Sequence, residues 1–184
     1  MINDDWETPT ALYRSLDREC KFDFDPCPLF SDFDGLSNDV EWGKMNYVNP
    51  PYNEELKEAF VERCVKEMEN GNSSVILLPV STSTNLFQDV ILPNATCIDL
   101  VRKRIPFVGV DLRNRCVNWH LGTEWPKKGD NGRKHIRQNG QRDNMLVYML
   151  HNDCNINLVT SKGFSKYIPK KAYIVAHPLH NDTI

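Results

Sequence analysis

The segment from residue 45 to residue 78 constrains the fold most, because it reads as strand, helix and strand in close succession. Residues 45–48 form a short apolar run, and residues 74–78 form a second one that Pro79 ends. Between them, residues 54–69 place an apolar side chain at every fourth position: Leu56, Phe60, Cys64 and Met68. This spacing predicts a helix with one apolar face, for which Gly71 provides a C-terminal stop. Strands that alternate with helices in this way imply a largely parallel sheet.

Similar patterns on either side of this unit predict an α/β fold with a largely parallel central sheet. Thr8 is a good N-cap and Pro9 suits the first helical position, so a helix is expected over residues 9–19. The other expected elements are strands at 21–25, 97–101, 145–150 and 173–176, a short helix at 85–91 and a loop around 35–38. Parallel strands place ligands at their shared carboxyl edge, where Asp25 and Asn49 are expected to lie.

The tetrapeptide Asn49-Pro50-Pro51-Tyr52 follows the first apolar run and is typical of a catalytic loop that methylates an exocyclic amine. The amine of adenine or cytosine is a poor nucleophile because its lone pair is delocalised into the ring. The side-chain oxygen of Asn49 and the backbone carbonyl of Pro50 can each accept one N–H of that amine, which draws the lone pair back onto nitrogen. Two consecutive prolines stiffen the loop. Tyr52 offers a flat face for a base taken out of the helix.

Other interpretations of this tetrapeptide remain open. A strand that ends in a Pro-Pro turn capped by an aromatic residue has the same sequence and no chemistry. Methylation of cytosine N4, or of adenine in RNA, would use the same two acceptors. A catalytically silent nucleic-acid-binding protein of the same fold is expected to have lost the asparagine or the aromatic residue, and both are present in this chain.

Further motifs flank the tetrapeptide. They are Asp5-Trp6-Glu7-Thr8-Pro9, Phe22-Asp23-Phe24-Asp25-Pro26-Cys27, Asp34-Gly35-Leu36, Trp42, Leu77-Leu78-Pro79, Ser81-Thr82-Ser83-Thr84 and Arg102-Lys103-Arg104-Ile105-Pro106-Phe107. In order and spacing the chain resembles the phage-type (Dam-like) DNA N-6-adenine methyltransferases from about residue 5 to residue 110, and more weakly around residues 145–149. The resemblance implies that S-adenosylmethionine (SAM) is the cofactor, that DNA is the partner, and that a methyl group passes directly to N6 of adenine.

The resemblance also implies roles for individual residues. The expected catalytic residues are Asn49, Pro50, Pro51 and Tyr52. The expected cofactor-binding residues are Trp6, Thr8, Pro9, Asp25, Pro26, Cys27, Asp39 and Asn49. Thr8 and Pro9 would lie near the methionine end of SAM, and Asp25, Pro26 and Cys27 would form a wall against it. Asp34 and Asp39 are the candidates for holding the ribose hydroxyls.

Two features depart from an ordinary SAM-binding Rossmann sheet. The turn after the first expected strand is Asp25-Pro26-Cys27-Pro28, which contains no glycine. Only 23 residues separate Asp25 from Asn49, too few for two further strand–helix units. The expectation is therefore an abridged Rossmann-like methyltransferase fold.

Charge is divided unevenly along the chain. Residues 1–100 carry 7 Lys and Arg against 19 Asp and Glu, whereas residues 101–184 carry 15 against 6. An acidic half suits a cationic sulfonium cofactor, and a basic half suits phosphates. Residues 111–143 are polar and basic, and they are expected to contact DNA as an insertion, with a solvated loop as the alternative. The expected DNA-binding residues are Arg113, Arg115, Lys127, Lys128, Arg133, Lys134 and Arg137.

Composition indicates one enzyme domain over residues 1–184. The chain is 40% apolar and 26% charged, and no run approaches the eighteen apolar residues of a spanning helix. Its N-terminus is polar and acidic, so a cytoplasmic protein with no membrane partner is expected, in the host cytoplasm if it is virus- or phage-encoded. The six cysteines are scattered without metal-ligand spacing, so neither a metal nor a disulfide framework is expected.

Overall fold

Two β-sheets, two long helices and a short helical segment form the regular structure of the described residues. The computed structural model describes residues 6–28, 31–101, 104–111, 123–125, 134–139, 142–154 and 173–174. The long helices are α1 (Thr10–Cys20) and α2 (Glu54–Glu69). In chain order the strands are β1 (Trp6–Glu7), β2 (Met45–Val48), β3 (Ser73–Pro79), β4 (Cys97–Leu100), β5 (Pro106–Asp111), β6 (Thr123–Trp125), β7 (Lys134–Asn139), β8 (Asn144–Met149) and β9 (Tyr173–Ile174). None of the described helices is long and apolar enough to cross a membrane.

The strand–helix–strand unit predicted over residues 45–78 is confirmed. β2 and β3 are parallel, and every residue of both strands is buried. Helix α2 begins after Asn53, whose side-chain oxygen accepts the backbone N–H of Leu56 at 2.9 Å and so caps the first turn. Gly71 follows the helix with a φ of 87°, a left-handed conformation that glycine adopts without strain.

The other predicted elements are present with shifted ends. The helix expected over residues 9–19 is α1, and the short helix expected over residues 85–91 is a π-helical turn, Leu86–Ile91, that continues into Leu92–Asn94. The strand expected over residues 21–25 is reduced to one parallel bridge between Phe24 and Asn46. The prediction that Thr8 caps α1 is wrong, because the cap position belongs to Pro9 and no side chain caps this helix.

The α/β class is confirmed, but the prediction of a largely parallel sheet is wrong for the strand pairs that the structure describes. The central sheet has five strands in the spatial order β2-β3-β8-β4-β9. Only β2 and β3 pair in parallel; the pairs β3–β8, β4–β8 and β4–β9 are antiparallel. The reason is that β8 enters between β3 and β4 from the opposite end, and a buried apolar run carries no signal of strand direction.

Strand direction nevertheless gives the sheet one edge where several chain segments end. β3 and β4 are both antiparallel to β8 and therefore point the same way, as do β2 and the bridge at Phe24. β8 starts at this edge, because its first residue, Asn144, pairs with Pro79 at the end of β3. The residues that follow β2, and Asn144 at the start of β8, thus meet at one end of the sheet.

A second sheet has the order β1-β5-β7-β6 and is antiparallel throughout its described pairs. Its strands β6 and β7 fall within residues 111–143, so this segment is more than a polar insertion. The sequence analysis did not predict β6 and β7, because both are short, mostly polar segments without an apolar run. The pairing of Trp6 in β1 with Gly109 in β5 joins segments that are far apart in the chain. In β7, Lys134 pairs with Asp111 and Arg137 with Val108. The predicted DNA-binding residues Arg113, Arg115, Lys127, Lys128 and Arg133 lie outside the described residues.

The hydrophobic core covers both faces of the central sheet, because successive residues of a strand point to opposite faces. On one face, Leu12 and Leu16 of α1 belong to a cluster that includes Tyr47. On the other face, Phe60 and Cys64 of α2 pack in a second cluster with Val48 and its neighbours. The two helices therefore cover opposite faces and leave the carboxyl edge of β2 and β3 open to the loops of the site.

Candidate active site

A cleft of about 430 Å³ lies beside the carboxyl end of β2. Six of the residues predicted for the site line it: Thr8, Asp25, Pro26, Cys27, Asn49 and Pro51. The described lining also contains Glu7, Tyr13, Phe33, Asp34, Gly35 and Leu36, and it includes no Lys, Arg or His. Its charged side chains are therefore all acidic, which favours a cationic ligand over an anionic one.

The turn from Asp25 to Cys27 forms one wall of the cleft. Oδ1 of Asp25 accepts the backbone N–H of Cys27 at 2.9 Å, so the aspartate side chain closes the turn in place of glycine. Burial raises the pKa of Asp25 to about 6, although hydrogen bonds from the Cys27 backbone and thiol oppose the rise. The carboxylate is thus held in a half-buried position where a positively charged ligand would stabilise its ionised form.

Glycine is needed close to this turn, at position 35. A Cβ atom on Gly35 would overlap the backbone oxygen of Pro26, which no side chain allows. The absence of Cβ lets the loop at 34–36 lie directly against the turn at 25–27. An ordinary Rossmann sheet has a glycine in the turn itself; in this protein the glycine that allows close backbone approach is on the facing loop.

The facing loop is held from behind by helix α2. Trp42 donates its indole N–H to the backbone oxygen of Gly35 at 2.9 Å. Arg63 of α2 lies over the Trp42 ring, 5.4 Å from its centre, and donates to the backbone oxygens of Ser37 and Val40 at 3.4 and 3.1 Å. Its Nε also lies 2.7 Å from the buried carboxylate of Glu67. These contacts give the loop a defined position against the cleft.

Asn49 and Tyr52 lie together at the end of β2. The hydroxyl of Tyr52 lies 3.4 Å from Oδ1 of Asn49, to which it donates, and it accepts from Nδ2 of Asn144 at 3.3 Å. The ring of Tyr52 meets that of Phe107 edge-on, with ring centres 6.0 Å apart. Pro50 is buried behind this loop. The four residues of the tetrapeptide therefore form a packed loop in which Asn49 reaches the cleft.

The tetrapeptide also touches the turn at residues 25–27. The backbone N–H of Asn49 hydrogen-bonds the thiol of Cys27, whose pKa is nonetheless raised well above its ordinary value, first by burial and then by the neighbouring Asp25 carboxylate. A thiol with a raised pKa stays protonated and is a weak nucleophile. Cys27 is thus a contact between two loops of the cleft.

Thr8 lines the cleft and makes a buried hydrogen bond that the sequence pattern did not predict. Its Oγ1 lies 2.7 Å from the hydroxyl of Tyr47 on β2, and both side chains are buried. This contact explains why Thr8 does not cap α1. The ring of Tyr13 meets Tyr47 edge-on at 5.1 Å and completes the floor at this end of the cleft.

Three predicted cofactor residues lie outside the cleft lining or are described only in part. Asp39 is exposed and lies outside the cleft lining, whereas Asp34 belongs to it and uses Oδ1 to accept the backbone N–H of Leu36 at 2.9 Å. The backbone of Trp6 lies in β1, and its side chain is outside the described part of the structure. Pro9 is buried next to Thr8 and lies outside the lining.

Sequence reasoning missed Tyr47 and Asn144 as neighbours of the site. Tyr47 stands in an apolar run and reads as an ordinary core residue. Asn144 precedes an apolar run and is separated from Tyr52 by 92 positions. A single amide at the start of a wholly buried strand was the only local signal. In the described residues, no group of His, Cys, Asp and Glu side chains could hold a metal ion.

Fold and site together define an α/β protein with an acidic cleft at the edge where β2 and β3 end. A family model described as DNA N-6-adenine-methyltransferase (Dam) matches residues 1–120, and the chain belongs to that family. The resemblance seen in the motifs is thereby confirmed at the level of the family, and membership implies a methyltransferase. The matched residues include both loops of the cleft and end before β8. No curated protein and no solved structure matches the chain.

Proposed function

We propose that this protein transfers a methyl group from SAM to N6 of adenine in DNA. The observation that carries the proposal is the position of Asn49, which lines an acidic cleft while its side-chain oxygen accepts a hydrogen bond from Tyr52. Family membership supports the adenine and DNA specificity, and the cleft supports the cofactor.

The residues of the cleft fit SAM in size and charge. A volume of about 430 Å³ is within the usual range for small-molecule sites. The half-buried carboxylate of Asp25 suits a sulfonium cation, and the described lining has no basic side chain to oppose it. When bound, SAM supplies a sulfonium methyl group that an amine attacks directly, so the protein needs no covalent intermediate.

The chain's own contribution is to make adenine N6 nucleophilic. Oδ1 of Asn49 and the backbone oxygen of Pro50 would each accept one N–H of the amine. These bonds strengthen as positive charge develops on nitrogen, so they stabilise the transition state more than the bound substrate. Pro51 and Tyr52 hold the loop in shape, and Tyr52 would also face the flipped base.

The remaining residues are assigned by their places around the cleft. Thr8, with Trp6 and Pro9 beside it, would contact the methionine end of SAM, and Asp25, Pro26 and Cys27 would form the opposite wall. For the ribose hydroxyls we assign Asp34 in place of Asp39, because only Asp34 lines the cleft. Asp34 uses one carboxylate oxygen within its own loop, so the other is the candidate ligand.

Fold and partner assignments follow the same reasoning. Residues 1–184 would form one abridged Rossmann-like domain; the shared direction of β2, β3 and β4, with ligand loops at their carboxyl edge, supports this. DNA phosphates would be contacted by the basic residues of 111–143, which are Arg113, Arg115, Lys127, Lys128, Arg133, Lys134 and Arg137. The charge of the C-terminal half supports that part of the proposal.

Mass spectrometry of nucleosides tests the proposed function. The protein is incubated with isotopically labelled SAM and with duplex DNA, single-stranded DNA or RNA, and each product is digested to nucleosides. Labelled N6-methyldeoxyadenosine is the expected product. Label on cytosine N4, or on RNA alone, would replace the proposed substrate, and label on no nucleic acid would overturn the proposal.

A further inference from the structure

We infer that Asn144 is a positioning residue, which orients the side-chain amide of Asn49 through the hydroxyl of Tyr52. Asn144 belongs to β8, beyond the residues that the family model matches, and it has no place in the tetrapeptide. The inference rests on the proposed function, because it explains how Asn49 presents its oxygen to the amine.

The three side chains form a continuous chain of contacts at the edge of the sheet. Asn144 is 2% exposed, and its Nδ2 lies 3.3 Å from the Tyr52 hydroxyl and 3.4 Å from the backbone oxygen of Leu78. The Tyr52 hydroxyl lies 3.4 Å from Oδ1 of Asn49. Oδ1 of Asn144 has no hydrogen-bond partner among the described residues. The described side-chain hydrogen bonds of Asn144 are therefore all made by its amide nitrogen.

Which group donates in each of these hydrogen bonds follows from the chemistry of the groups involved. A backbone carbonyl only accepts, so the atom of Asn144 that faces Leu78 is its NH₂ group. The same group faces Tyr52 and donates to its oxygen. Tyr52 has one proton, and that proton is left for Asn49, whose facing atom must then be the carbonyl oxygen.

The ionisation state of Tyr52 supports this direction. Burial raises its pKa, so the hydroxyl keeps its proton at neutral pH. The edge-on contact with Phe107 fixes the ring that carries the hydroxyl.

The consequence concerns which end of the Asn49 amide meets the substrate. The Asn49 oxygen has two lone pairs, so it can accept the Tyr52 proton and one N–H of the target amine together. Rotation of the amide by half a turn would put NH₂ in the place of that oxygen, facing two donors. The Tyr52 proton disfavours that rotamer, because it is satisfied only by the Asn49 oxygen. Asn144 therefore acts on the reaction without touching substrate or cofactor.

Asn144→Asp is the sharpest test, because aspartate has nearly the same shape and only accepts when ionised. The carboxylate would accept a hydrogen bond from the Tyr52 hydroxyl. Tyr52 would then no longer donate to Asn49. We expect kcat to fall by about tenfold, roughly the value of one hydrogen bond, with KM for SAM within about twofold of wild type. Tyr52→Phe keeps the ring, removes the hydroxyl and should give the same result.

Asn46→Asp is the matched control. Asn46 is 0% exposed, and its Nδ2 also donates to two backbone oxygens, those of Gly43 and Ser73, but at the opposite end of the sheet. Both Asp variants should lower the melting temperature, and only Asn144→Asp should lower kcat. An equal loss of kcat in the control would make the role of Asn144 merely structural.

The double variant separates a relay from two independent effects. If Asn144 acts through Tyr52, then adding Asn144→Asp to Tyr52→Phe should leave the loss of kcat near tenfold; multiplication to about a hundredfold would overturn the inference. NMR of the Asn49 side-chain amide, without substrate, gives a second readout. Its resonances should shift in both single variants. Unchanged resonances in a folded variant would also overturn the inference, whether or not that variant is active. A wild-type protein that methylates no adenine contradicts only the proposed function.

Discussion

Thr8 Oγ1 lies 2.7 Å from the hydroxyl of Tyr47, which stands 39 positions later and is 2% exposed. This hydrogen bond joins the segment before α1 to the middle of β2. Because Thr8 lines the cleft, a buried residue of the central sheet determines where one wall of the site lies. This pair of hydroxyl groups therefore connects the core to the site.

Tyr47→Phe should weaken SAM binding by several-fold and lower the free energy of unfolding by about 1–2 kcal/mol, because the Thr8 hydroxyl loses its buried partner. Calorimetric titration with SAM and denaturant unfolding measure the two effects. Tyr148→Phe is the matched control, since Tyr148 is also buried, bonds Asp99 and lies outside the cleft lining. It should lower stability alone. Equal SAM affinity in wild type and Tyr47→Phe would show that the hydrogen bond from Tyr47 does not position Thr8 for the cofactor.

SAM affinity should depend on pH through Asp25. Burial raises the pKa of this carboxyl to about 6, from an ordinary value of about 4. The ionised form attracts the sulfonium, so affinity should rise by up to about tenfold per pH unit below pH 6 and level off above it. Calorimetry between pH 5 and about 8 measures this. Asp25→Asn should bind more weakly with a flat profile; an Asp25→Asn profile as steep as wild type would assign the titration to another group.

The same raised pKa has an opposite effect on folding. Between about pH 4 and the folded pKa of about 6, the folded protein binds more protons at Asp25 than the unfolded chain does. The free energy of unfolding should therefore fall as pH rises through that window, because this carboxyl must ionise in a buried position. The free energies of unfolding of wild type and Asp25→Asn, measured with denaturant, should be similar at the acidic end of this window. They should differ increasingly toward neutral pH, with the variant more stable. Parallel curves would contradict the burial of Asp25.

Removal of basic residues from 111–143 should weaken DNA binding and leave SAM binding unchanged. Replacing Arg133, Lys134 and Arg137 with Ala should lower the slope of log affinity against log salt by about one unit for each phosphate that the variant no longer neutralises. Titration with duplex DNA at several salt concentrations measures the slope. Replacing Lys162, Lys166 and Lys170 with Ala is the control, because it removes the same charge outside 111–143. An equal effect of this control on the slope would place DNA contacts in the C-terminal tail.

Local pattern was sufficient for the part of the fold that depends on near neighbours. The bounds of β2 and α2 were predicted to the residue, because an apolar run and a four-residue period are signals within one segment. The direction of β8 and the pairing of Trp6 with Gly109 depend on contacts between distant segments, which periodicity does not record. For the same reason the tetrapeptide was recognisable and its partner Asn144 was not, since an isolated amide becomes informative only beside Tyr52.

The most direct test of the account is methyl transfer by Asn49→Ala in a single turnover, with labelled SAM and adenine-containing DNA. The variant should transfer the methyl group about a hundredfold to a thousandfold more slowly than wild type, because a transition-state acceptor is lost, and it should bind SAM within roughly tenfold of wild type. Asn53→Ala is the control, because the described hydrogen bond of its side chain caps α2; it should cost about 1 kcal/mol of stability and little rate. Near wild-type transfer to adenine N6 by Asn49→Ala would contradict the central claim that this side chain activates the amine.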